Sequence, residues 1–201
     1  PLRRQRQMCI RDRFFSMSLP DSEVPGILVA LPGLRDSYFE KTVILLFNYN
    51  EEGAMGLVMN HTSGSQVREI LKEDTPEESP LNMPLLLGGP VQPEMFWAVH
   101  GPDYEGESTT TISSGIRLSS AKEMIDDLAT KGLPKTCHMG CGYSGWGPLQ
   151  LDGEIQRESW WLGPLDEELL MEMEYDLRWE TTLKNLGIDP LTAGFIPSGT
   201  V

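Results

Sequence analysis

Three apolar runs of strand length, Ile27 to Leu31, Thr42 to Phe47 and Ala54 to Met59, follow one another near the start of the chain. Their β-branched and aliphatic composition suits pleated, packed strands. Between the second and third lies Asn48-Tyr49-Asn50-Glu51-Glu52-Gly53, whose Asn and Gly residues accept the positive φ that a chain reversal needs. The spacing predicts a hairpin with a loop. No run approaches the roughly 20 apolar residues that cross a bilayer as a helix, and the longest clean one, Val43 to Phe47, is strand-sized. The sequence therefore predicts no membrane-spanning segment.

Shorter strands and helices interleave further along. Ser63-Gly64-Ser65-Gln66 offers a capping box, and Val67, Ile70 and Leu71 recur at helical spacing, which predicts a short helix to about Lys72. Asp74 to Met83 is acidic, contains two prolines and reads as a surface loop. Leu85 to Leu87 reads as a buried strand stopped by Gly88-Gly89-Pro90, Met95 to His100 as another strand and Thr109 to Ile112 as a short one. The clearest helix starts at Ser120, whose hydroxyl is placed to cap the first turn while Glu123 reaches back. Ala121, Met124, Ile125, Leu128 and Ala129 form one apolar stripe, ended by Gly132 and Pro134. Lys135 to Tyr143 enters a further strand, and Pro148 suits a first helical position. A last helical region breaks near Asp176 before Gly187 and Pro190 close it. Strict βαβ alternation is absent, so the expected class is α+β, a single domain with a mixed sheet or partly closed barrel flanked by helices. A chain of 201 residues buries such a core without disulfide or metal support.

The chain carries 16 Lys and Arg against 30 Asp and Glu, a formal net charge of −14, but the balance is uneven. Pro1 to Arg13 holds five arginines against one aspartate, a net of +4. Within it, Gln7-Met8-Cys9-Ile10-Arg11-Asp12 resembles the in-frame translation of a transposon end used in preparing sequencing libraries. Residues 1–13 are therefore expected to be a non-native leader rather than a targeting segment or a nucleic-acid arm. A lead-in over 14–24, the domain over 25–191 and a tail over 192–201 are expected to follow. Taking +4 from −14 leaves −18 on the remainder, and so acidic a surface repels phosphate backbones. Direct nucleic-acid binding is disfavoured. Cys137 and Cys141 are the cysteines that remain, too few for a disulfide framework, and they point to a reducing, cytoplasmic setting.

The densest cluster of chemically capable residues is Gly142-Tyr143-Ser144-Gly145-Trp146, followed by Pro148, Gln150, Leu151 and Glu154. With a helix from Pro148, Gln150 and Glu154 lie four apart on one face, and Leu151 and Ile155 line another. Tyr143, Trp146, Gln150 and Glu154, with Asn60 from the end of the third strand, form the candidate ligand site. Aromatic walls, an amide and a carboxylate suit a small polar ligand. The same residues fit a structural reading in which Gly145 makes the turn, Trp146 fills core, Glu154 pairs locally and Asn60 ties a turn. No catalytic residue is assigned: Ser144 misses the G-x-S-x-G nucleophile elbow because Trp146 stands at the final glycine. Cys137, His138 and Cys141 lack the second ligand pair of a zinc site. Gly53-Ala54-Met55-Gly56 and Gly88-Gly89-Pro90 lack the lysine and hydroxyl of a phosphate loop. The sequence calls for no metal and no cofactor.

Several of these segments recur in one known order. Ile27-Leu28-Val29-Ala30 with Leu34, Asp36 and Phe39, then Val43-Ile44-Leu45-Leu46, Gly53 to Asn60 and Gly88-Gly89-Pro90-Val91 are followed by Gly142 to Trp146 with Gln150-Leu151 and Glu154, Trp160, and Trp179 to Gly187. From about Pro25 to Leu191 the chain resembles the bacterial YqgE/AlgH family. It departs at Leu149, where the family commonly has glycine, and at Ser144, commonly alanine. The resemblance implies a compact α+β cytosolic protein; some members are labelled transcriptional regulators. The expected function is that of a non-enzymatic binding or regulatory protein acting through a small ligand or a protein partner. The alternative is an enzyme using Glu154 as general acid or base. A third reading, a regulator binding DNA directly, is opposed by the charge and by the lack of a helix-turn-helix signal.

Overall fold

The computed structural model describes residues 24–71 and 80–190. The expected leader, nearly all of the lead-in, part of the acidic loop and the C-terminal tail lie outside the described residues.

Strands β1 (Gly26–Ala30), β2 (Val43–Asn50) and β3 (Gly53–Val58) pair antiparallel in sequence order. Ile27 and Val29 of β1 and Val43 and Leu45 of β2 enter one apolar cluster, while Leu28, Ala30, Ile44 and Leu46 enter a second. Successive side chains of a strand point to opposite faces. Both faces are covered here, which is why these strands are unbroken apolar runs rather than alternating ones. The expected hairpin is present: Asn50 stands opposite Gly53, and a bulge shifts the register between Leu46 and Asn48.

Further along come β4 (Thr62–Gln66), α1 (Val67–Leu71), β5 (Pro84–Leu87), β6 (Val91–His100), β7 (Thr110–Thr111) and β8 (Arg117–Ser120). Then follow α2 (Ala121–Asp126), α3 (Leu128–Lys131), β9 (Cys137–Trp146), α4 (Gln150–Gln156), β10 (Trp160–Pro164), α5 (Glu167–Met171) and α6 (Tyr175–Asn185). The strand order is β10-β1-β2-β3-β9-β6-β8-β7, with β4 on β5 and β5 on β9. Strand β9 knits the sheet together. Its earlier residues pair with β6 and, in parallel, with β5, and its last three pair with Gly56, Met55 and Ala54 of β3. The sheet curls into a half-barrel with helices against it, an α+β domain as the pattern predicts. Among the described residues no helix is long and apolar enough to cross a membrane.

Two helix starts differ from expectation. Ser63 to Gln66 is a strand, and the capping contact falls at its end, where the Gln66 N–H donates to Glu69 Oε2 at 3.1 Å. Ser120 makes no side-chain cap, and Glu123 turns away from its own helix to accept from the backbone N–H groups of Glu107 and Ser108 and from the Ser108 hydroxyl. A loop offering three donors outcompetes a cap offering one, and those bonds hold the Glu123 carboxyl below its ordinary pKa.

Candidate functional site

Three of the five sequence-selected residues meet. Trp146 ends β9, the chain turns through Gly147 to Leu149, and α4 begins at Gln150. Pro148 therefore lies in the turn before the helix rather than at its first position. The Gln150 side chain closes that turn: its Oε1 accepts from the Gly147 N–H at 3.0 Å, and its Nε2 donates to Glu154 Oε1 at 3.1 Å. Glu154 Oε2 accepts two indole N–H groups, from Trp146 at 2.9 Å and Trp160 at 2.8 Å. The two indoles are edge to face, with centroids 5.9 Å apart, and Phe39 packs against both. Trp146 is 7% exposed and Trp160 1%. The cluster is thus an aromatic core whose two polar edges converge on one carboxylate. Trp160, absent from the selected five, is its deepest member; the signal for it in the sequence was its place in the family pattern.

The backbone at Leu149 accounts for the glycine common at this place in that pattern. Leu149 holds φ 60° and is 78% exposed. Left-handed backbone carries no steric cost for glycine but does for leucine.

Tyr143 and Asn60 stand elsewhere. Tyr143 is three residues before Trp146 on the same strand and packs with the cluster containing Ile27 and Leu45, whereas Trp146 packs with Leu28 and Ile44. Asn60 follows β3 at the end away from Ala54, the partner of Trp146. Its Oδ1 accepts from the Val43 N–H and its Nδ2 donates to the Lys41 carbonyl, both at 2.8 Å, so its amide ties off the start of β2.

Of the candidate nucleophiles, Ser144 is enclosed and neither thiol is activated. Ser144 is fully buried and donates to the Gly88 carbonyl at 3.0 Å. Burial pushes the Cys137 thiol up to about 12 and also raises that of Cys141, the reverse of an activated thiolate. Both are free thiols. No cluster of three metal-ligating side chains occurs among the described residues.

His138 is held neutral. One ring nitrogen, Nε2, faces the Met171 carbonyl at 3.0 Å and so must carry the proton, leaving Nδ1 to accept from the Tyr175 hydroxyl at 2.8 Å. Burial and the nearby Arg178 guanidinium push its pKa down to about 4. Arg178 is itself fully buried, held by the carbonyls of Met173 and Met59 and stacked 4.6 Å from the Tyr175 ring centroid. Unfolding releases His138 to its ordinary pKa near 6.5. Between the two values the unfolded chain binds the extra proton, so stability is full above about pH 7 and falls as the pH drops. From pH 7.5 to pH 5 the expected loss from this residue is about 2 kcal/mol. Burial lowers the pKa of His61 and His100 too, so the measurement is the difference between the urea-unfolding pH profiles of the wild type and His138→Gln.

The comparisons agree with this architecture. The AlgH-like family model (DUF179) matches residues 27–191. A UPF0301 protein of Anaeromyxobacter dehalogenans is 33% identical over 189 residues, covering 90% of this chain and 95% of that protein. One from Ruegeria pomeroyi is 36% identical over 169 residues, covering 82% and 92%. The solution structure of AlgH from Pseudomonas aeruginosa superimposes with a TM-score of 0.70 at 26% identity, over 92% of this chain and 100% of that one. A crystal structure from Corynebacterium diphtheriae shares the fold, with a TM-score of 0.68 at 19% identity over 90% and 95%. By family model, sequence and fold together, the chain belongs to the AlgH-like family of UPF0301 proteins.

Proposed function

We propose that this chain is a non-enzymatic cytoplasmic protein that binds or regulates through a protein partner or a small ligand. The observation that carries the reading is the commitment of Glu154: both its oxygens accept donors of its own chain and hold an aromatic cluster shut. A general acid or base needs a proton path to a substrate, and here the carboxylate's geometry is spent on two buried indoles. The enclosed Ser144 and the unactivated thiols support the same reading. The free cysteines are compatible with a reducing compartment. The acidic charge favours partners other than nucleic acid.

A thermal-shift screen against a metabolite panel tests the small-ligand half. A ligand at about 100 times its dissociation constant adds roughly 2.7 kcal/mol, which raises the melting temperature of a chain this size by roughly 5 to 10 °C. The whole reading falls if a substrate is turned over by the wild type and not by Glu154→Gln, or if sequence-selective DNA binding is found at micromolar concentration and physiological salt.

A further inference from the structure

We propose that the groove between β10, α5 and α6 docks a partner-protein segment that inserts an apolar side chain flanked by lysine or arginine; this names a site and a chemistry for the protein-partner half of the reading above. The groove holds about 310 Å³ and lies beside β10, the terminal strand of the sheet order among the described residues. Its apolar wall includes Ile27, Trp161, Leu169 and Leu186. That volume sits at the lower end of the about 300–1,000 Å³ typical of ligand pockets and suits one or two inserted side chains.

Trp161 singles this groove out. The chain has five tryptophans. Four spend their indole N–H internally: Trp97 on the Gly142 carbonyl, Trp146 and Trp160 on Glu154, and Trp179 on the Ala30 carbonyl. Among the described residues the Trp161 N–H has no such acceptor, and its ring lies in the groove wall over Gly163. A half-buried tryptophan with a free donor is the kind of residue that anchors protein interfaces.

The rim sets the sign of the partner. Asp166 and Glu167 line the groove. Among the described residues neither has a lysine or arginine partner: Asp166 caps α5 through the Leu169 N–H, and Glu167 accepts from Ser113 and Gly115, which holds its pKa below the ordinary value. The rim thus presents two carboxylates that no lysine or arginine of the described residues neutralises. A second copy would bring this rim against another strongly acidic chain, so self-association is disfavoured. A cationic segment meets complementary charge, and charge complementarity at a rim gives specificity and a salt-sensitive on-rate.

The test is a random peptide library displayed on phage and panned against the full chain. The expected result is enrichment of peptides with an apolar residue beside lysine or arginine. Synthesised and titrated by fluorescence polarisation, they should lose about tenfold in affinity against Asn185→Lys, which places a like charge on an exposed rim position. They should lose about three- to tenfold against Trp161→Phe, which keeps a ring and removes the donor, and should weaken as salt rises. Because Asn185 is exposed, an unchanged melting temperature confirms that its variant is folded. Failure to enrich any peptide, enrichment without basic residues, or equal binding to Asn185→Lys each overturns the groove assignment. In the last case a peptide still binds elsewhere, so the broader partner reading survives the loss of the groove.

Discussion

Replacing Glu154 by alanine is expected to destabilise the protein by about 3 to 5 kcal/mol, because it strands two buried indole N–H groups at once. A buried donor left without its acceptor costs about 1 to 3 kcal/mol, and Trp146 and Trp160 both depend on the same Oε2. Neither indole has easy access to water, at 7% and 1% exposure. Glu154→Gln should cost only about 1 to 2 kcal/mol, since its remaining carbonyl oxygen still accepts. Urea unfolding of the three proteins measures the differences, and tryptophan emission should shift red in the alanine variant as the cluster admits water. A loss below about 1 kcal/mol for Glu154→Ala would show that solvent reaches the indoles, and would return the carboxylate to contention as a ligand-facing group.

Gly89→Ala is expected to cost at least about 4 kcal/mol, the size reserved for changes that the surrounding structure cannot absorb. Gly89 sits at φ +155°, and a Cβ there would overlap the backbone carbon and oxygen of Tyr143 and the nitrogen of Ser144. Those atoms belong to β9 and cannot swing aside as a side chain would. The neighbouring Gly88 is bound on both sides: its N–H donates to the Cys141 carbonyl at 2.8 Å, and its carbonyl accepts from the Val58 N–H at 2.9 Å. Moving the turn therefore breaks the joint between β3, β5 and β9. Gly33→Ala is the control, since nothing lies within 4 Å of its added Cβ. Its stability should stay within about 0.5 kcal/mol of wild type. Equal stability of both variants would mean that the turn at Gly89 relaxes freely.

How much of this was legible in the chain depends on how local the cause is. The runs that became β1, β2 and β3 were readable because continuous aliphatic and β-branched residues suit a strand buried on both faces, whatever its partner. The hairpin was readable because Asn50 and Gly53 lie at its reversal. The two pieces of the last helical region were readable from a change of phase, although the break falls at Glu172 to Glu174, slightly before Asp176. Strand β10 was not readable. Trp160–Pro164 is a short aromatic segment ending in glycine and proline, and it becomes a strand because β1, far upstream, offers it a ladder.

The candidate site divides along the same line. That Gln150 and Glu154 share a helix face follows from their spacing, and the structure joins them. The strand containing Tyr143 was expected to end there, leaving Trp146 in the turn beside it. Instead β9 continues to Trp146, because Ala54, Met55 and Gly56 of β3 extend its ladder by three residues. Residues three apart on a strand point to opposite faces, so that extension sends Tyr143 and Trp146 into different cores. The sequence by itself determined the class of fold, the acidic charge, the family and the need for glycine at the tight turns, all properties of composition and short-range geometry. Only the tertiary structure decided which polar groups are spent internally and which indole remains free, because hydrogen-bond partners such as Trp160 and Glu154 or Trp179 and Ala30 are chosen by strand pairings between distant segments.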